Sequence, residues 1–302
     1  LVDLSDYLIY TLDVSPDDNW LVAGGATMGD ATKNYILLWD LRNMSAGPKK
    51  IAGFTQNIED VVFSAKDKGV YVRDNAGRSI KFTDLTNVKE VLKPAEKINS
   101  ITMNRDGSRL AGVGESGSLY LWDTGASFAE KILYKNKTAL TTITFAYDGK
   151  RIIVGDANGL VMILSESAPT PRILSGHTAH IEQIRFNNAG TFLATVSRDK
   201  TIRLWNWADL NKQPIVLSGH TDWVWSAAFT PDDEQLLVGM HSNSEHSKET
   251  IHAWPTKITT MAGLLCQYVS ANLSLDEWET YVGPVNDIPQ EKTCPNFPLN
   301  NK

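Results

Sequence analysis

Between Gly176 and Asn206 the chain reads GHTAHIEQIRFNNAGTFLATVSRDKTIRLWN, with apolar residues at Ile181, Ile184 and Phe186, from Phe192 to Val196, and at Ile202, Leu204 and Trp205. Period-two alternation of this kind predicts short strands with one face buried. Asn188-Ala189-Gly190 and Arg198-Asp199-Lys200 break the runs with turn residues, so the stretch is three strands joined by tight turns. Pro214 to Leu217 supplies a fourth strand, and Gly219-His220 starts the pattern again. A unit of roughly 40 to 45 residues, each strand too short to make a core alone, predicts a radial array of four-stranded sheets.

The same pattern extends over most of the chain. A first unit covers about Tyr7 to Phe54, with a second strand over Trp20 to Gly24, a long turn over Ala26 to Lys33, and Trp39-Asp40 closing its third strand. A second covers about Asn57 to Leu92 and has Phe82-Thr83-Asp84 where Trp-Asp stands elsewhere. The third, Lys97 to Tyr134, closes on Trp122-Asp123, and the fourth, Ala139 to Leu174, has Leu164-Ser165 there. The stretch quoted above is the fifth. The sixth runs from Gly219-His220 to Trp254, with a polar insertion over Met240 to Thr250. From Thr259 the period changes: Met261, Leu264, Leu265, Tyr268 and Val269 share one helical face, and Ser274-Leu275-Asp276-Glu277 reads as a capping box for a second short helix. The expected division is a propeller over 1–257 and a helical extension with a surface tail over 258–302.

These units resemble the WD-repeat β-propeller family, most specifically in the third, fifth and sixth. In that family a Gly-His histidine, a second-strand Ser or Thr, a turn Asp and a third-strand Trp form a buried hydrogen-bonded chain. The resemblance places these roles on His177, on Thr195 or Ser197, on Asp199 and on Trp205. Neutral imidazole donates with one nitrogen and accepts with the other, while indole N–H needs an acceptor, so the four types can satisfy one another. The resemblance implies an all-β, six-bladed propeller, or a seven-bladed one if an N-terminal blade is missing. It also implies that Leu1-Val2-Asp3-Leu4 seals the ring as the last blade's outer strand. The C-terminal stretch resembles the helical extension of bacterial WD-repeat proteins, some attached to STAND-type ATPases. The two cysteines, Cys266 and Cys294, allow one bridge or none; in such tails a Cys pair recurs, so the resemblance implies a bridge if the domain is periplasmic.

Composition narrows the function classes. The 302 residues carry a formal charge of −6, which disfavours a general phosphate-binding surface, and the helical tail has few basic residues, so nucleic acid is not the expected partner. No apolar run approaches a membrane span, and no membrane contact by this segment is expected. Because the chain opens on Leu1, a trimmed or processed fragment is expected, and the compartment, cytoplasmic or periplasmic, stays open.

No phosphate loop, nucleophile elbow or zinc-ligand spacing is present, so neither catalysis nor a cofactor is expected. His241, Glu245, His246, Glu249 and His252 form the densest ligand cluster, but a polar insertion of this composition is a solvated loop and no metal is assigned to it. Protein or peptide binding is the expected role, with other domains of the same chain as possible partners. The family resemblance implies a partner-binding top surface at the entrance of each first strand and the turn before each third. Those positions carry Leu8 and Tyr10, Asn57 and Glu59, Lys97 and Asn99, Ala139 and Thr141, His180 and Glu182, and Trp223 and Trp225, joined by Glu115 and Arg198. Trp223 and Trp225 stand out, since tryptophan is enriched at binding hot spots. Glu59, Glu115 and Glu182 favour a basic peptide. The rival readings are a sensor arm of a signalling or defence ATPase, and a propeller enzyme with charged groups directed into its channel.

Overall fold

The computed structural model describes residues 6–29, 34–125, 127–240, 251–257, 260–261, 272, 274 and 294. The fold is an all-β, six-bladed propeller. Five blades are four-stranded antiparallel sheets in chain order, and the sixth has three strands among the described residues. Each blade is a meander, so short polar turns suffice and no crossover is needed.

The inner strands are Tyr7–Val14, Ile58–Ser64, Ile98–Met103, Leu140–Phe145, Ile181–Phe186 and Val224–Phe229. The second strands are Trp20–Thr27, Gly69–Asp74, Arg109–Gly114, Arg151–Asp156, Phe192–Ser197 and Gln235–Met240. In blade 1 the second strand runs three residues beyond Gly24, where the sequence pattern stops, because Gly25 and Ala26 keep pairing with Ile9 and Leu8. Third strands are Asn34–Asp40, Ile80–Thr83, Ser118–Asp123, Val161–Ser165, Ile202–Asn206 and Ile251–Pro255. Lys49–Phe54, Val88–Leu92, Ala129–Lys135, Ala168–Leu174 and Ile215–Leu217 form the outer edges of blades 1 to 5.

The core consists of the seams between blades. Between blades 1 and 2, Val22, Ile36 and Leu38 of one sheet meet Ile58, Val61 and Phe63 of the next. The same arrangement recurs at the following seams, for example where Ala194 and Leu204 of blade 5 meet Val224 and Ala227 of blade 6. Each blade is amphipathic on both faces, so burial depends on having a neighbour on each side. Gly24 permits the closest approach: a Cβ there would lie 2.4 Å from Ile58 Cγ2. Hydrogen bonds cross the seams as well. Phe63 N–H donates to Asp13 at 2.7 Å, Ile101 N–H to Asp60 at 2.9 Å, and Ala227 N–H to Gln183 at 2.8 Å.

The expected closing strand at Leu1 to Leu4 lies outside the described residues, as do the insertion at 241–250 and nearly all of the expected helical pair. At the start of the extension, Met261 N–H donates to the Lys257 carbonyl at 2.9 Å, and Met261 packs on the seam between blades 5 and 6. Cys294 is buried and disulfide-bonded, and Cys266 lies outside the described residues.

Candidate protein-interaction face

One local irregularity recurs near the start of every inner strand. The ladder skips one residue, and the skipped residues are Tyr10, Glu59, Asn99, Thr141, Glu182 and Trp225. A bulge of this type frees one residue from pairing and re-aims its side chain. The array therefore presents one re-aimed side chain per blade around the same end of the channel.

On blades 5 and 6 these side chains form a cluster. The Arg198 guanidinium lies over the Trp223 ring at 4.9 Å and the Trp225 ring at 5.9 Å from their centroids. Glu182 pairs with Arg198 through its Nε, and His180 Nε2 stands 3.8 Å from the Glu182 carboxylate. Burial pushes the His180 imidazole below its ordinary pKa; Glu182 opposes that shift and Arg198 reinforces it. The cluster is thus an imidazole biased toward its neutral form and a compensated ion pair whose guanidinium lies over two indoles that stay 37% and 46% exposed. Cation–π stacking fixes the guanidinium plane and limits the motion of both rings.

The other candidate residues are distributed around the rim. Glu59 pairs with Arg73 at 3.0 Å. Asn99 donates to the Leu140 carbonyl at 2.8 Å and Thr141 to the Ile181 carbonyl at 2.6 Å, so these two tie one blade to the next. Glu115 is exposed, and its N–H donates to the Lys97 carbonyl at 3.0 Å. Tyr10 is 49% exposed on blade 1, and Leu8 beside it is also exposed. Sequence reasoning missed Arg73, which is buried with its Nε 3.5 Å from Asp60. It also missed Glu96, which accepts from the Ser116 N–H at 2.5 Å and the Tyr120 hydroxyl at 2.8 Å. Both lie next to singled-out positions, but nothing in their spacing marks them.

Beneath this face, blade 5 holds a continuous polar chain. His177 Nδ1 is 2.8 Å from Asp199, His177 Nε2 is 2.8 Å from the Thr195 hydroxyl, and Trp205 Nε1–H donates to that hydroxyl at 3.0 Å. Ser197 instead donates to the Ala179 carbonyl at 3.0 Å. Burial works against ionisation of Asp199, but the bonds from His177, Thr201 and the Thr178 N–H outweigh it and hold the carboxyl far below its usual range. Blade 6 has a shorter chain, in which Trp254 donates directly to His220 at 3.1 Å. In blade 3 the Trp122 indole donates to Glu130 at 3.0 Å.

Among the channel strands, Asp13 and Asp60 each accept a backbone N–H from the following blade, which engages them in the seams. No group of three or more metal-ligand side chains occurs among the described residues. His252 is the one described member of the insertion cluster. A shallow recess of about 320 Å³ between blades 3 and 4, lined by Asn104, Arg109 and Glu166 among others, opens near the far ends of the inner strands, away from the tryptophans.

Comparison with known proteins agrees with this architecture. The family profile described as "WD domain, G-beta repeat" matches residues 88–123, 169–206 and 211–245. The chain is 26% identical over 245 residues to "Non-functional target of rapamycin complex subunit LST8-2" of Arabidopsis thaliana, covering 76% of this chain and 75% of the relative. It is 25% identical over 258 residues to "Serine-threonine kinase receptor-associated protein" of Homo sapiens, covering 81% and 67%. Among solved structures, the β-propeller domain of Myceliophteria_thermophila Cps50 (Swd1) superposes with a TM-score of 0.67 at 16% identity, covering 82% of this chain and 83% of the other. The repeat matches and the propeller neighbour together support a place for this chain among the WD-repeat propellers. No helix among the described residues is long and apolar enough to cross a membrane.

Proposed function

We propose that this propeller is a non-catalytic protein-interaction module whose partner sits on the Trp223, Trp225, Arg198, Glu182 and His180 cluster. The observation that carries this reading is the pair of half-exposed indoles stacked under one guanidinium. Rigid, partly exposed tryptophan and arginine are the side chains that dominate binding energy at interfaces, and here both are already ordered. Glu59, Lys97, Asn99, Glu115 and Tyr10 form the polar rim, with its carboxylates directed toward a basic peptide. One relative is named as a receptor-associated protein and another as a complex subunit, the latter called non-functional in its name; the first of these supports the same role here. Nucleic acid is not the partner in this reading, given the net charge of −6.

The test is the double variant Trp223→Ala/Trp225→Ala beside the wild type in affinity capture, after both are shown to melt alike. A partner bound at least about thirtyfold more weakly by the variant is expected, the loss of about 2 kcal/mol that marks a hot spot. Undiminished binding would move the site off this face. As to context, we infer a larger bacterial multidomain signalling protein, on the resemblance of the C-terminal extension. The coding sequence upstream of Leu1 tests that.

A further inference from the structure

Blade 4 has a neighbour on each side, and its two seams differ where the inner strands end. Between blades 4 and 5 that end is filled by Trp207, the residue after the third strand of blade 5. Phe186 meets the Trp207 ring edge-on, with centroids 4.8 Å apart at 88°, and the Arg151 guanidinium lies over the same ring at 4.5 Å. The edge of that guanidinium is held by Asp148 at 2.6 Å, which leaves its face for the indole.

Between blades 3 and 4 the same partners are present without the ring. Arg109 opens the second strand of blade 3 as Arg151 opens that of blade 4, and each pairs with the last residue of its third strand, Asp123 and Ser165. Phe145 closes the inner strand of blade 4 as Phe186 closes that of blade 5. One residue past the third strand, where blade 5 has Trp207, blade 4 has Glu166. Its carboxylate holds Arg109 at 3.0 Å and Lys131 at 3.1 Å, much as Asp148 holds Arg151. Leu164 also stands where blade 5 has Trp205, so this seam lacks both indoles of its neighbour. Among the described residues no aromatic ring stacks on Arg109 or meets Phe145. The result is the recess of about 320 Å³, walled by Leu121, Phe145 and Ile152 on its apolar side and by Asn104, Arg109 and Glu166 on its polar side. That volume is at the lower end of the range for small-molecule sites.

We infer that this recess binds one indole-sized aromatic ring supplied by another molecule, stacked on the face of Arg109 and edge-on to Phe145. The filled seam beside it is the template for the pose. Glu166 keeps the edge of Arg109 while the ring takes its face, so binding breaks no ion pair. Glu166 also gives a ring N–H an acceptor at the rim, which favours indole over phenyl. Every described residue that lines the recess belongs to blades 3 and 4, and the chain's own extension starts two seams away, where Met261 packs between blades 5 and 6. The site lies at the opposite end of the inner strands from the tryptophan cluster and stands independently of it. A free aromatic molecule and an aromatic side chain of a partner share this chemistry, and two probes separate them.

The experiment titrates fluoroindole, and separately a short glycine-flanked peptide with one fluorotryptophan, against the full chain by fluorine NMR. Fluoroindole is expected to bind the wild type with a Kd of about 1 mM or below. Glu166→Trp, which gives blade 4 the residue type of blade 5, is expected to weaken binding at least tenfold and to raise the melting midpoint, whereas Glu166→Ala leaves the recess open and stays within about threefold of wild type. If Glu166→Trp melts below wild type, Arg109→Leu decides instead, with binding weakened at least threefold. Peptide binding tighter than fluoroindole binding assigns the ring to a partner's side chain; peptide binding no tighter assigns it to a free aromatic molecule. Absence of binding by both probes overturns the proposal, and so does undiminished binding by the deciding variant. Binding that appears only in Trp278→Ala/Tyr281→Ala also overturns it, by showing that the chain's own extension fills the recess.

Discussion

The seam between blades 1 and 2 and the uncovered inner-strand side of blade 1 are made of the same side-chain types at the same ladder positions, yet one is dry and the other faces water. Ile58 and Ile9 are the same residue at the same point of an inner strand, 0% and 41% exposed. Apolar patterning thus specifies a face that can be buried; the neighbouring sheet decides whether it is. Hydrophobic stabilisation follows the area removed from water, so equal sequences contribute unequally.

The largest expected effect follows from that pair. Ile58→Ala should cost about 3 kcal/mol in urea unfolding, as large-to-small core changes do, and Ile9→Ala less than about 0.5 kcal/mol. Equal costs would break the comparison. A smaller effect tests the same contrast by overpacking. Gly24→Ala forces a methyl into Ile58 Cγ2 and is expected to destabilise by about 2 kcal/mol, whereas Gly239→Ala meets only the Ser226 hydroxyl, which can rotate away, and should cost well under that.

The smallest effect is electrostatic and sits in the closed seam. Burial pushes the Asp13 carboxyl up from its ordinary 3.8 to about 6, against the Phe63 N–H and the more distant Arg185, which favour the charged form, and with Asp60 adding to the rise. The folded state therefore holds this proton more tightly than the unfolded chain. Its contribution is fully favourable below the ordinary carboxyl pKa and is lost as pH rises through about 6. Asp13→Asn keeps an acceptor for the Phe63 N–H and is expected to stabilise by about 1 kcal/mol at neutral pH, with the gain vanishing in mildly acidic solution. Melting curves across pH check this, and a gain that persists in acid would show that the carboxylate is solvated.

The blades were legible because period-two alternation and turn residues are local. Asn188-Ala189-Gly190 closes a hairpin whatever surrounds it, and Phe82 serves in blade 2 where other blades have Trp, because either fills the seam. Family resemblance also singled out the strand-entrance positions, where the structure has the ladder bulges. Less legible was what they do to one another. Arg198 and the two tryptophans are separated by a strand, a turn and an outer strand, and only blade packing stacks them. Arg73 lies outside the positions that the pattern marks, so its pairing with Glu59 and Asp60 emerged from the coordinates alone.

By itself the sequence determined the strands, their order, the number of blades described and the side-chain types on each face, since these depend on alternation and turn chemistry within a few residues. The tertiary structure decided which faces are dry, which carboxylate is held in a seam, and where two indoles meet a guanidinium. Those depend on what lies across a seam, often forty residues or more away along the chain, and on desolvation that no single strand can bring about alone.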